Sequence, residues 1–350
     1  MVFVTGATGL LGSHLLYYLA RSGKEVYALK RKDSRIEAVR EVWQLYTSDD
    51  TLWDGIRWVQ GDVMDPEVLE AMVSRADCVY HCAAVVSFAG GDKSYLSDVN
   101  TRGTEHIAAL CQKYRVRLCY VSSIAALGDA RYEGEVIDED TPVITGSVHS
   151  VYSRSKAAAE RIVRDYMQKG LEAVIVNPSI ILGAGHWNRS SSRLFVTAAK
   201  GIMVYTEGVC GYVDVRDVCQ IILLLSENGI RGERFVINGG NYSYRELFTE
   251  IARATGHRPP GIRLRPWMTN IAWRLLSVVG KITGKRPDFT RETARSSQHK
   301  SYYSSAKFLS YYPDYRFYSL SDTICEIYAA YKQRRFEWMC CLCSGRDIFM

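Results

Sequence analysis

The eight residues Thr5-Gly6-Ala7-Thr8-Gly9-Leu10-Leu11-Gly12 constrain this chain more than any others. They follow an apolar run, Met1-Val2-Phe3-Val4, and lead into Ser13-His14-Leu15-Leu16-Tyr17-Tyr18-Leu19. The order is strand, glycine-rich turn, helix. Gly6 permits the tight turn, Gly9 lets backbone approach a pyrophosphate, and Gly12 lets the helix pack close to the strand. The helix then aims its unpaired N–H groups at the phosphates. A glycine triplet alone is equally a plain loop; the flanking strand and helix favour a dinucleotide site.

Past this turn, short β-branched runs alternate with helical stretches. Residues 2–4, 25–29, 56–59, 78–81, 118–121 and 173–176 read as strands. Residues 13–22, 66–74, 100–114 and 151–169 read as helices between them. Repeated strand-then-helix order predicts an α/β fold, a Rossmann doubly wound parallel sheet. After Pro178 the rhythm breaks. Residues 179–211 are rich in Ser and Gly, 212–215 and 234–237 return as strands around a helix near 218–226, and the chain from Tyr242 is mostly helical. The expected organisation is a nucleotide-binding domain over residues 1–177 and 212–238, then a smaller, mostly helical substrate lobe over 178–211 and 239–332. Residues 333–350 read as a disordered tail.

With 350 residues the chain can bury a core for both lobes. Its longest purely apolar runs, such as Ile221-Ile222-Leu223-Leu224-Leu225, are far too short to span a bilayer. The first strand starts at residue 2, which leaves no room for a leader, so a cytoplasmic setting is expected. The ten cysteines fit it: Cys78, Cys82, Cys111, Cys119, Cys210, Cys219 and Cys325 lie in apolar segments, as small buried side chains do. Cys340, Cys341 and Cys343 crowd the tail without a fourth ligand at regular spacing, so no metal site is expected. Net charge is +6 but unevenly spread: residues 253–316 hold 13 Lys/Arg and three Asp/Glu, a local +10. Such a region attracts an anionic group or a membrane surface, or is simply a solvated face. No aromatic–basic platform of a nucleic-acid module is evident.

Tyr152-Ser153-Arg154-Ser155-Lys156 opens a helical stretch, and spacing of four puts Tyr152 and Lys156 on one face. A nearby ammonium favours tyrosinate, so Lys156 is expected to lower the Tyr152 phenol from about 10 and fit it for proton transfer. Ser123 ends the strand Leu118-Cys119-Tyr120-Val121, where open α/β sheets place their ligands. There it either holds a substrate oxygen or caps the next turn.

Together these residues resemble the extended short-chain dehydrogenase/reductase superfamily over nearly the whole chain, to about residue 332. Gly61-Asp62-Val63 is similar to the segment that contacts adenine there, and His81-Cys82-Ala83-Ala84 to the loop beneath the cofactor. Asn100-Thr101-Arg102-Gly103-Thr104, Ser122-Ser123, Asn177-Pro178-Ser179 and Val213-Asp214-Val215-Arg216-Asp217-Val218 follow in the superfamily's order. The resemblance implies Ser123, Tyr152 and Lys156 as catalytic residues. It implies a cofactor site formed by Thr5, Gly6, Thr8, Gly9, Leu10, Leu11, Gly12, Arg31, Asp62, Val63, Ala83, Ala84, Asn100, Ser122, Tyr152, Lys156, Pro178 and Ile180. Asn100 is expected to support the site's backbone. A homodimer is also a superfamily expectation.

NAD enzymes of this layout place an Asp or Glu at the end of the second strand to bond the ribose. Here Lys30-Arg31-Lys32 stand there instead. Arg31 can grip a 2′-phosphate with paired N–H donors, so NADP is expected, with NAD as the alternative. Two absences bear on the reaction. Superfamily dehydratases resemble one another in an acidic pair after the catalytic hydroxyl, where this chain has Ile124-Ala125. Nucleotide-sugar enzymes carry an Arg shortly before the late strand, where it has Cys210-Gly211-Tyr212-Val213. Both point to the branch resembling dihydroflavonol reductases and 3β-hydroxysteroid dehydrogenases, as do residues 286–290 and 302–309. The expectation is reduction of an aldehyde or ketone, or the reverse oxidation of an alcohol, on an apolar substrate with an anionic group. A nucleotide-sugar epimerase with tightly held NAD and a non-catalytic NADP sensor are the alternatives.

Within residues 266–285, Trp267, Ile271, Leu275, Val278 and Ile282 form one helical stripe. An arc this broad reads first as a core helix, then as a flap over an apolar substrate, then as a membrane-surface helix.

Overall fold

The computed structural model describes residues 1–86, 93–142, 150–188, 190–283 and 289–343, leaving aside the side chains of 93, 190, 281, 282 and 335–343. Strand β1 (Val2–Thr5) leads into helix α1 (Leu10–Arg21), and β2 (Val26–Lys30) into α2 (Ile36–Trp43) and the one-turn α3 (Thr51–Asp54). Then come β3 (Arg57–Gln60), α4 (Pro66–Val73), β4 (Cys78–His81), α5 (Lys93–Tyr114) and β5 (Arg117–Val121). A 3₁₀ turn (Ile124–Ala126), β6 (Val136–Ile137), α6 (Val151–Gln168) and β7 (Ala173–Pro178) complete the first half. The later chain forms β8 (Ile180–Leu182), α7 (Ser190–Ala198), β9 (Val204–Tyr205), β10 (Val209–Asp214), α8 (Val215–Glu227) and β11 (Glu233–Ile237). It ends with β12 (Gly240–Ser243), α9 (Tyr244–Thr255), β13 (Ile262–Arg263), α10 (Pro266–Thr283), α11 (Arg291–Ser296), β14 (Tyr302–Tyr303), α12 (Ala306–Tyr311) and α13 (Leu320–Cys343).

Seven strands make one parallel sheet in the order β11-β7-β5-β4-β1-β2-β3. Successive side chains of a strand face opposite layers, and both layers here are covered. Val2 and Val4 pack with α1, α2 and α8, whereas Phe3 packs with α4 and α5. Val174 and Val176 of β7 repeat the first choice, and Ala173 and Ile175 the second. The doubly wound sheet is thus the one its near-continuous apolar strands require. Strand order reverses between β1 and β4, which opens a crevice at their carboxyl ends.

The second lobe is less helical than its sequence suggests. β12, β10 and β8 form a three-stranded sheet, and β13 with β9 and β14 with β6 form two-stranded ones. Strands of two residues carry no readable alternation, which is why they escape sequence reasoning. The stretch 212–238 divides: β10 belongs to the three-stranded sheet, while α8 and β11 join the large sheet.

Three expectations change. The core helix is not one: in α10, Trp267 is 60% and Leu275 62% exposed, while the polar Thr269 is buried. Periodicity fixes that a stripe exists and leaves open what covers it. Cys325 is exposed on α13, whose neighbours Ile324 and Ile327 face the second-lobe core instead. The backbone of α13 stays helical to Cys343, into the expected disordered tail, because no Gly or Pro interrupts residues 333–343. Residues 344–350 and 284–288, the latter including Arg286, lie outside the described residues.

Candidate active site

β1 delivers the chain into the glycine-rich turn at the mouth of the crevice. Gly6 takes φ +68°, and a Cβ there would lie 2.5 Å from the Ala83 nitrogen. A Cβ at Gly12 would lie 2.1 Å from the Gly6 carbonyl oxygen. Nothing larger than glycine fits either place. Helix α1 starts after Gly9 with no side chain capping it, so its first N–H groups are left for a phosphate. Thr8, Leu10 and Leu11 lie on this turn and first helical residues. The cradle fits a dinucleotide.

Ala83 and Ala84 follow β4 against that turn. Asn100 holds them in place: its Oδ1 accepts from the Val85 N–H at 2.7 Å, and its Nδ2 donates to the Val85 carbonyl at 3.1 Å and to Ser155 Oγ at 2.9 Å. Asn100 thus clamps the loop after β4 to helix α6. Asp62 lies two residues past β3 with Oδ1 accepting from the Met64 N–H at 2.9 Å, and Val63 packs on Gly103. Pro178 closes β7 and Ile180 opens β8 beside β10.

Two hydroxyls expected at the cofactor turn inward. Thr5 is fully buried, its Oγ1 2.6 Å from His81 Nδ1. His81 Nε2 meets Thr104 Oγ1 at 3.1 Å, and burial lowers the imidazole to about 3. Ser122 donates to Glu160 Oε2 at 2.5 Å. Both hydroxyls are thus taken up by buried partners.

At the end of β2, Arg31 is half exposed and lies 3.5 Å from Asp33. Its backbone N–H donates to Ser34 Oγ at 3.0 Å, and that hydroxyl lies 3.3 Å from Thr8 Oγ1. Ser34, which sequence reasoning missed, thus joins the basic strand end to the glycine-rich turn. A hydroxyl three residues past the strand's cation is the only hint.

Ser123 takes the capping role and adds a contact with Tyr152 of α6. Its Oγ accepts from the Ala125 N–H at 3.1 Å, capping the 3₁₀ turn, and it hydrogen-bonds the Tyr152 phenol. Helix α6 starts where Ser150 accepts from the Ser153 N–H at 3.0 Å, which sets Tyr152 on its first turn. Lys156, one turn on, is buried; it donates to Tyr120 OH at 3.1 Å and to the Val121 carbonyl at 2.9 Å. The expected lowering of the phenol by this ammonium is not what the structure holds. Burial raises Tyr152 above its usual value, and the group pulling it down is Ser123. The physical reason is that Lys156 is itself desolvated, down to about 8, and spends its donors on β5.

Behind these groups lies a residue not singled out from sequence. Glu160 is buried on the same face of α6; its Oε2 also accepts from Asn177 Nδ2 at 2.6 Å, and its Oε1 pairs with Arg234 at 2.6 Å. Asn177 Nδ2 further donates to the Ser123 carbonyl at 3.0 Å. One carboxylate therefore ties α6, β5, β7 and β11 together. Among the described residues no cluster of metal ligands occurs, and no helix is long and apolar enough to cross a membrane.

The profile of the family described as "NAD dependent epimerase/dehydratase family" matches residues 2–238. "Sterol demethylase protein B" of Methylococcus capsulatus is 30% identical over 303 residues, 85% of each chain. A "Putative dihydroflavonol 4-reductase" of Synechocystis is 28% identical over 313 residues, 87% of each. Among solved structures, that of gox2253 superposes with a TM-score of 0.79 at 27% identity, covering 95% of this chain and 98% of that one. The Bordetella bronchiseptica enzyme WbmH, solved with NAD+, shares the fold at 0.71 and 18% identity, covering 95% and 98%. By profile and by relatives of nearly its own length, this chain belongs to the NAD dependent epimerase/dehydratase family and is an NAD(P)-dependent oxidoreductase of the extended short-chain dehydrogenase/reductase type.

Proposed function

We propose that the chain reduces an aldehyde or ketone with NADPH, or runs the reverse oxidation, using Tyr152 as the proton donor or acceptor. The observation that carries this reading is the Ser123–Tyr152 hydrogen bond at the carboxyl end of β5, with buried Lys156 one turn along α6. The nicotinamide, when bound, supplies or takes the hydride. Ser123 holds the substrate oxygen beside the phenol. Tyr152 passes a proton to or from that oxygen, and its raised pKa keeps the phenol protonated at neutral pH, which suits reduction. Lys156 has two of its donors held by Tyr120 and the Val121 carbonyl, and its remaining N–H would bond a ribose hydroxyl.

Arg31 and Ser34 would hold a 2′-phosphate, and Asp33 is drawn toward Arg31 rather than free to bond ribose. The name of the Synechocystis relative supports carbonyl reduction. The family's description equally embraces epimerases, so a sugar epimerase with tightly held NAD stands as the second reading.

A panel of carbonyl substrates assayed with NADPH and NADH separates these readings. Expected are faster consumption of NADPH and loss of turnover in Tyr152→Phe while cofactor still binds. Full turnover in that variant refutes the proposal. Purified protein carrying non-exchangeable nicotinamide turns the assignment to the epimerase.

A further inference from the structure

We propose that the exposed apolar face of α10 docks this protein on an anionic lipid surface. Trp267, Ile271, Leu275 and Val278 recur every three to four residues, so one side of the helix carries them all. They are 60, 49, 62 and 55% exposed. Met203 and Ile262 extend the apolar surface to the ribbon that feeds α10: they are 73 and 53% exposed, and the Ile262 N–H donates to the Met203 carbonyl at 3.0 Å. Single exposed apolar residues are ordinary, but a row of this length marks a contact surface. The inward side of α10 bears the buried Thr269, so the helix presents its greasiest side to the outside.

Charge decides among the occupants. Residues 251–287 contain eight Lys/Arg and no Asp/Glu. Arg258, Arg265 and Arg274 are exposed around the stripe; Arg263 is paired with Glu207. Arg274 rises at the stripe's edge, its guanidinium 4.7 Å from the Trp273 ring centroid and bonded to the Asn270 carbonyl at 2.7 Å. An apolar strip with cations at its rim fits a bilayer interface, where side chains enter the acyl boundary and guanidinium groups meet headgroup phosphates. A second copy fits poorly, because a two-fold contact through this face sets one cationic rim against another. The helix has 18 residues and does not qualify to cross a membrane, so it would lie along the surface.

The test is flotation of the full chain with vesicles of phosphatidylcholine, with and without phosphatidylserine. Binding is expected only to the phosphatidylserine vesicles, and it should fade as salt is raised. Ile271→Ser with Leu275→Ser, and separately Arg265→Glu with Arg274→Glu, should each weaken binding by about tenfold or more. An unchanged unfolding midpoint shows that each variant is folded. Absence of vesicle binding overturns the proposal, as does equal binding to both vesicle types or indifference to either pair of substitutions. A wild-type dimer that Ile271→Ser with Leu275→Ser dissociates, without lipid binding, assigns the face to a second copy instead.

Discussion

Lys156 and Glu160 stand one turn apart on the buried face of α6. Burial lowers the Lys156 ammonium to about 8, and the Glu160 carboxylate is the largest influence opposing that fall. The same carboxylate anchors Ser122, Asn177 and Arg234, so the charge of the proposed catalytic lysine and the shape of the strand ends share one support.

Glu160→Gln should therefore act twice. It leaves Arg234 without its anion, at a cost of about 3 kcal/mol in urea unfolding. It also lets the Lys156 pKa drop below about 8, so the limb of the pH–rate profile set by that ammonium should move toward acid. A variant with the wild-type profile would show that the carboxylate is structural only.

Ser123→Ala should separate chemistry from stability. The hydroxyl caps a single 3₁₀ turn, worth about 1 kcal/mol, but it is also the partner of the Tyr152 phenol. Carbonyl reduction should fall about a hundredfold in kcat while NADPH binding, followed by fluorescence, stays as it was. Equal losses in both would place Ser123 in cofactor binding.

How much of this could be read in the sequence depends on distance along the chain. The glycine-rich turn and the strands of the large sheet are local patterns, and they formed where alternation and β-branched runs placed them. Tyr152 and Lys156 share a face because helical spacing is local too. Glu160 is different: its partners lie 38, 17 and 74 residues away, so nothing near it in sequence marks it. The inward turn of Thr5 and Ser122 is likewise set by packing partners. The phenol's rise in pKa follows from burial, which only the assembled lobes create. For α10, the period of the apolar residues was legible and their exposure was not.

Acid should destabilise the protein through two buried histidines. Burial lowers His81 from 6.5 to about 3 and His14 to about 4, so unfolding takes up protons below about pH 6.5. The stability from each neutral imidazole is complete above about pH 6.5 and is lost as pH falls toward those lower values. Asp217, raised by burial to about 6, works in the opposite direction between about 6 and about 4. From about pH 7 to about pH 5 each histidine removes roughly 2 kcal/mol and Asp217 returns about 1, for a net loss near ~3 kcal/mol. Urea midpoints at the two pH values measure it, and His81→Gln should flatten the slope.

Gly12→Ala should abolish cofactor binding. The added methyl would sit 2.1 Å from the Gly6 oxygen and 2.9 Å from Ala7 Cα, so the turn has to open. Such overpacking costs about 1–3 kcal/mol in stability and moves the α1 N-terminus from the phosphate position. Gly23→Ala makes the control: nothing lies within 4 Å of its Cβ, and only its φ of +76° is strained, at about 1 kcal/mol. It should bind NADPH normally in calorimetry.

Arg31→Ala should remove the preference for NADPH over NADH. The side chain is half exposed and its nearest acid, Asp33, is 3.5 Å away, so the guanidinium is held near the strand end without being buried in an ion pair. A charge-assisted hydrogen bond to a phosphate is worth about 1.5–3 kcal/mol, which corresponds to a loss of roughly tenfold to a hundredfold in kcat/KM with NADPH. NADH lacks that phosphate, so its kcat/KM should change little. Removal of the cation also leaves Asp33 free to bond a ribose hydroxyl, so any gain should appear with NADH. Ser34→Ala should weaken NADPH use in the same direction but less, since its hydroxyl already bonds the Arg31 N–H and adds no charge. Equal losses with both cofactors would move Arg31 out of phosphate recognition.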